Sequence, residues 1–305
     1  MTGELMNDRI PLAIATRLLS AFLFATMNAV IKLAQAGGAS LGEILFFRQF
    51  IAALVIGAVV AAGPGVASLK SRRFPAHVLR CVLGLMAMAA TFTAILALPL
   101  AEATTLGFSM PIFATILGAL VLREPTGWHR WGAVIAGFVG VIIVARPGAA
   151  NFPLWGAAAG LAGAFMTAVV SILLRQITRT ESPMTTVFWF STLSLVPLGA
   201  VYWWSAAAHP AGVWMAMIAV GALGGVAQLA MTSALKLGPV SVVAPMDYSS
   251  LLWAAFYGWA LFAMLPDEAT WIGAPVIVAS GLYIVWREHV RRQIETRQAI
   301  AQGIG

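Results

Sequence analysis

Few side chains in this sequence could do chemistry, and the sharpest of them is a carboxylate. Asp247 stands in VVAPMDYSSLLWAAFYGWALF, residues 242–262, a run otherwise apolar enough for a bilayer. A charge at such depth costs roughly 2.5–3.5 kcal/mol on insertion scales, so something must offset it. Two readings fit. Asp247 takes up a proton or pairs with a cationic group of a bound molecule, or it caps a helix broken after Pro245 and bonds to Tyr248, Ser249 or Ser250. Arg48, in FFRQF, can bind a carboxylate of a substrate, pair with an acid such as Glu43, or snorkel its charged end to the nearer interface. Lys32 has the same choice, with snorkelling favoured. Asn28 and Gln228 offer amides and Thr26 and Thr91 hydroxyls. Trp189, Trp253 and Trp259 offer either flat faces for a planar substrate or ordinary packing.

The chemistry of an enzyme is missing. His77, His129, His209 and His289 all fall at the ends of apolar runs or in loops, and no HExxH or GxSxG motif is present. No GxxxxGK[ST] stretch follows a strand, so direct ATP drive is unsupported. GAAAG at 156–160 and GALGG at 221–225 are small-residue patterns for close helix packing. The single cysteine, Cys81, excludes an internal disulfide and a thiolate metal site. No metal or cofactor is indicated.

The elements that must hold these residues follow from composition. Of 305 residues, 61% are hydrophobic and only 10% charged, and mean hydropathy is +0.91. A soluble domain carries about 25% charged residues. Apolar runs of about 20 residues recur from end to end, each long enough for a hydrocarbon core of about 30 Å. The pattern predicts an all-α membrane protein with ten spans: 11–35, 42–62, 76–98, 102–122, 129–146, 153–175, 184–206, 212–236, 240–264 and 270–287. Glu102 and Glu124 then bound the fourth span. Most tryptophans lie near span ends, as interfacial anchors do.

Ten spans give two sides. All basic residues but Lys32, Arg48 and Arg146 fall on the side of the N-terminus, among them Arg9, Arg17, Arg72, Arg80, Arg123 and Arg179. The positive-inside rule then places both termini in the cytoplasm. The net charge of +7 is thereby mostly topology, and nucleic acid is not expected as a partner. The tail at 288–305 reads as a basic cytoplasmic extension.

The halves resemble one another. FATMNAVIKLAQ at 24–35 matches FMTAVVSILLRQ at 165–176, a shift of 141. ALPLAEATTLGF at 97–108 matches ALKLGPVSVVAP at 234–245, a shift of 137. WGAVIAGFVG at 131–140 matches IGAPVIVASG at 272–281. The expected units are 1–150 with spans one to five and 151–287 with spans six to ten. An odd number of spans per unit forces the copies into opposite orientations, an inverted repeat of the kind that secondary transporters use. By these shifts Asp247 is matched by Met110, Asn28 by Val169 and Gln228 by Thr91. Pro111 and Pro245 interrupt equivalent spans, one turn apart. Carbonyls freed by a proline need protein or cavity partners.

LPLAEATTLGFSMPIFATILGALVLRE, LGPVSVVAPMDYSSLLWAAFYGWALF, FFRQF and WHRWGAVIAGFVGVIIVARPG resemble the EamA-type branch of the drug/metabolite transporter superfamily over about residues 11–287. LPDEATWIG departs from that pattern, which more often has a Gly-Glu pair there. The resemblance implies a cavity between two bundles and small organic substrates: amino acids, nucleoside-like or vitamin-like molecules, and organic cations. It implies export more often than import, although similar proteins import S-adenosylmethionine or riboflavin. The expected substrate contacts are Asn28, Arg48, Thr91, Gln228, Asp247, Tyr248 and Trp253. Asp247 is also the expected coupling group, and Pro111 and Pro245 the helix breaks. The expected setting is a bacterial inner membrane, with lipid and a small molecule as partners and a monomer or weak homodimer as the assembly.

Overall fold

A computed structural model describes residues 10–63, 65–71, 73–120, 128–146, 153–177, 180–237 and 244–301, and its regular structure is helical throughout. Arg9, Arg72, Arg123, Glu124, Arg179 and the first part of the expected ninth span, 240–243, lie outside the described residues. The helices are α1 Ile10–Ala36, α2 Leu41–Ala62, α3 Phe74–Ala97, α4 Leu100–Gly107, α5 Met110–Leu120, α6 Trp128–Ala145, α7 Leu154–Ile177, α8 Pro183–Ser205, α9 Ala211–Leu237, α10 Ser249–Phe262 and α11 Glu268–Ala301. Short 3-10 turns at Val66–Leu69 and Ala244–Tyr248 complete the described structure.

Eight helical stretches among the described residues are long and apolar enough to cross a membrane: Ile10–Ala36, Leu41–Ala62, Phe74–Ala97, Leu100–Leu120, Leu154–Leu174, Met184–Ser205, Ala211–Met231 and Glu268–Arg287. The expected fifth span corresponds to a shorter apolar helix, Trp131–Ala145, and the ninth to α10, of 14 residues. Side chains of the outer faces are apolar and exposed, Leu54, Val82, Ile135, Val196 and Leu252 among them. Such a surface suits lipid rather than water. Trp128, Trp155, Trp203, Trp204, Trp271 and Trp286 stand exposed near helix ends, as anchors would. Two tryptophans read as possible cavity walls do otherwise. Trp189 donates Nε1–H to the Leu69 carbonyl at 3.0 Å, and Trp259 is exposed on the outer face of α10.

Local chemistry sets the helix ends. Ser40 and Glu43 form a reciprocal cap at the start of α2: the Glu43 N–H donates to Ser40 Oγ and the Ser40 N–H to Glu43 Oε2. Glu43 Oε1 also accepts from the Ala207 N–H at 3.0 Å and bonds His209 Nε2 at 2.8 Å. The start of α2 is thereby tied to the connection between α8 and α9, and Glu43 is not a partner of Arg48. Ser182 caps α8, and Pro183 fills its first turn. At the other end of the chain α11 runs on as helix through 288–301, so the basic tail begins as a continuation of the last span.

Packing follows a pattern of exchanged partners. α1 lies along α9 and α3 along α7; α9 flanks α2 as α8 flanks α3; α2 meets α8 and α6 meets α11. The α6–α11 crossing brings together two of the matched stretches. A Cβ on Gly140 would lie 3.0 Å from the Gly273 carbonyl oxygen and 2.8 Å from Ile277 Cγ1, so only glycine permits the approach. The core holds many alanines beside Ile31, Ile44, Leu98, Leu106, Met217 and Ile277.

Candidate functional site

Both interruptions of long apolar runs occur in matched places. The α4 helix ends at Phe108, where the Ser109 hydroxyl donates back to the Leu106 carbonyl at 2.6 Å. Pro111 then sits in the first turn of α5, where its missing N–H leaves no helix bond unmade. The expected ninth span breaks in the 3-10 turn Ala244–Tyr248, with Pro245 as its second residue. The breaks meet: α4 packs against α10, and the Phe108 and Tyr248 rings lie 4.7 Å apart between centroids.

Asp247 projects from the second break onto α1. Its two carboxylate oxygens accept from Nε and Nη2 of Arg17 in a paired, two-pronged ion bridge. Neither expectation for Asp247 named this partner. Ser249 and Ser250 donate instead to the backbone carbonyls of Met246 and Asp247. The exposures of the pair differ: the Arg17 side chain is 10% exposed and the Asp247 side chain 42%. Arg17, assigned to the cytoplasmic rim by the count of charges, is therefore an interior residue. Its position seven residues into α1, about 10 Å along the helix axis, was the available sign.

Further along α1, Thr26 Oγ1 bonds Tyr257 Oη of α10 at 2.8 Å, and Phe22 packs edge-on against Trp253, centroids 4.8 Å apart. Trp253 thus belongs to the α1–α10 contact. Asn28 is half-buried and makes no side-chain hydrogen bond among the described residues. Thr91 and Gln228, matched by the repeat, are also half-buried. Thr91 backs onto α7, where a Cβ on Gly163 would stand 2.6 Å from its hydroxyl and 3.0 Å from its backbone nitrogen. Its role there is close helix contact.

Arg48 belongs to a second constellation, between α2, α3 and α8. It donates from Nη1 to Gln49 Oε1. Gln49 donates to Ser194 Oγ at 3.0 Å, and Ser194 Oγ lies 3.4 Å from Cys81 Sγ. Arg80 stacks its guanidinium 3.9 Å over the Phe190 ring. Arg80, too, was counted with the charges on the side of the N-terminus; it is half-buried. No side-chain contact among the described residues joins Arg48 to Asp247, so the expected substrate contacts divide between two places.

A third polar group lies at the opposite ends of the helices. Lys32 donates to the Leu98 carbonyl at 2.5 Å, at the end of α3. Glu102, expected at a boundary, is buried; Thr270 donates to its Oε1 at 3.3 Å, and its Oε2 has no hydrogen-bond partner among the described residues. Arg146 and Asp267 form an ion pair beside this group. Among the described residues no set of three or more His, Cys, Asp or Glu side chains is placed to hold a metal ion.

Long apolar helices, with a helix break at Phe108–Ser109 packed against the 3-10 turn that precedes α10 and with charged side chains between the helices, define a polytopic membrane protein. The comparison with known proteins makes the class definite. The model of the EamA-like transporter family matches residues 11–146 and 154–286, and the chain belongs to that family. It is similar to the riboflavin transporter of Vibrio cholerae, with 30% identity over 71% of this chain and 73% of that one. It is similar to the S-adenosylmethionine uptake transporter of Rickettsia felis, with 28% identity over 81% and 83%. It is similar to the pseudopaline exporter CntI of Pseudomonas aeruginosa, with 29% identity over 92% and 96%. A solved crystal structure, 20% identical, matches 92% of this chain and 99% of its own with a TM-score of 0.60, which shows the fold. The protein is a small-molecule transporter of the membrane and not an enzyme.

Proposed function

We propose that the chain is a secondary transporter that exports a small organic metabolite, amino-acid-like, nucleoside-like or vitamin-like, across a bacterial inner membrane by alternating access. The observation that carries this reading is the meeting, through Phe108 and Tyr248, of the break between α4 and α5 with the 3-10 turn before α10, two places that the sequence alignment of the halves pairs. Interrupted helices at the interface of repeats are where such transporters bind their solutes. Ten spans, an inverted repeat and cytoplasmic termini complete the reading. The exchanged partners of the helix packing support the repeat, as does the division of the family match at 146 and 154.

Export draws support from the similarity to the pseudopaline exporter over nearly the whole chain. Import is the second reading, and the riboflavin and S-adenosylmethionine uptake relatives favour it. Purified protein in liposomes, loaded on one side with a labelled metabolite panel, tests both. Movement of a panel member down or against an imposed gradient supports transport, and its favoured direction decides between the readings. No movement of any member under any ion gradient would sink the proposal.

Asp247 is the proposed coupling group. A proton on its carboxylate would release Arg17 and free α1 from the second break. Asp247→Asn should then transport without pH dependence; a variant that keeps the parent's pH profile removes Asp247 from coupling.

A further inference from the structure

Arg48 and Arg80 have an arrangement that stability does not explain. Arg48 is 9% exposed. Neither guanidinium is in an ion pair among the described residues. Arg48 Nε and Arg80 Nε and Nη1 are buried without a hydrogen-bond partner. The two are linked through Ser194, whose hydroxyl accepts from Gln49 beside Arg48 and donates to the carbonyl of Phe190, the residue whose ring Arg80 covers. Buried charges are ordinarily paired, and an unpaired one is costly.

The groups around them orient rather than neutralise. Gln49 presents its carbonyl oxygen to Arg48 because its amide is held by Ser194, and Arg80 is laid flat by Phe190. All three supports are uncharged. His77, one turn before Arg80 on α3, is also buried, and its Nε2 lies 3.8 Å from Oε2 of the buried Glu181 carboxylate. On the other flank, α9 presents Gly224, where a Cβ would stand 2.9 Å from Met27 Sδ and 3.5 Å from Arg48 Nε. A pair of guanidinium forks held by neutral groups is the donor set that a planar or tetrahedral oxyanion takes.

We propose that Arg48 and Arg80 form an oxyanion subsite that receives a carboxylate or phosphate group of the transported molecule. The proposal rests on the transporter reading for its physiological ligand, but binding at the subsite can be measured without transport. The experiment follows the melting temperature of the full-length purified protein at constant ionic strength, with chloride replaced stepwise by citrate or by inorganic phosphate, and with triethyl citrate as the neutral control.

The expected result is a saturable rise with citrate, phosphate or both, since a ligand of the folded state stabilises it by mass action, and none with triethyl citrate. The rise should vanish in Arg48→Met and in Arg80→Met. In chloride both variants should melt no lower than the parent, because each loses a charge that has no ion-pair partner among the described residues. If either folds poorly, Arg48→Lys keeps the charge and loses the fork, and should weaken the apparent affinity at least tenfold. A rise confined to citrate assigns a carboxylate, one confined to phosphate assigns a phosphoryl group, and both support the subsite. An equal rise in parent and variants is a general salt effect and overturns it, as does no saturable rise at all. Liposome transport by the same preparation separates the two ideas. Transport without an oxyanion effect defeats only the subsite, and an oxyanion effect without transport defeats only the transporter reading.

Discussion

Asp247 and Arg17 show how a charge is carried into an apolar segment. The pair shares two hydrogen bonds, which strengthen and orient it, but its members are unequally sheltered. Loss of Asp247 leaves a buried guanidinium; loss of Arg17 leaves a carboxylate that is already partly open. Asp247→Asn should therefore cost about 2–3 kcal/mol and Arg17→Gln about half of that. The double variant should melt above Asp247→Asn alone, since it removes the stranded charge. Thermal melts of the four proteins in detergent give the cycle; equal losses that simply add would show that the bridge is not formed. Asp247 could be singled out from its surroundings alone, because a lone carboxylate in an apolar run is conspicuous. Arg17 could not be matched to it, because 230 residues separate them and only packing of α1 on the second break brings them together.

Helices are built here from small residues as much as from large ones. Gly140 and Gly132 share α6 and have opposite surroundings. Gly140 faces the backbone of α11, whereas Gly132 has nothing within 4 Å of the place a Cβ would take. Gly140→Ala should force the crossing apart, with a loss of about 2 kcal/mol or more, because the atoms it meets include backbone that cannot turn aside. Gly132→Ala should be neutral or stabilise by about 0.5–1 kcal/mol, the ordinary gain of alanine within a helix. Melting temperatures of the two variants test this; equal effects would mean that the α6–α11 contact is looser than described. The repeat made both stretches visible as kin, WGAVIAGFVG and IGAPVIVASG. That they pack on one another was not in the pattern, because similarity reports common ancestry of form and not contact.

At the scale of the molecule the orientation in the membrane is open to a direct test. With Cys81 replaced by alanine, single cysteines at Ala67 and Ala208, both exposed in connections between helices, should lie on opposite sides. In intact cells a membrane-impermeant maleimide should label Cys at 208 and spare Cys at 67, and lysis should expose the latter. The reverse pattern would invert the topology, and labelling of both on one side would undo the inverted repeat. Of the charges counted on the side of the N-terminus, Arg17 is buried and Arg80 half-buried, whereas Lys70 and Arg73 are exposed in the connection before α3.

Composition and periodicity by themselves determined that this chain is helical and that it belongs in a membrane, since hydrocarbon permits few structures and hydropathy reports burial in it. The family motifs carried the transporter class. Only the tertiary structure decided which polar groups answer one another. It gave Asp247 to Arg17, Glu43 to Ser40 and His209, and Lys32 to the end of α3, and it left Arg48 and Arg80 without an ion-pair partner among the described residues. The reason is one of range. Hydrophobic pattern is a local property, repeated every turn, whereas a hydrogen bond between distant helices depends on rotation and depth to within an ångström, and both are fixed by packing alone.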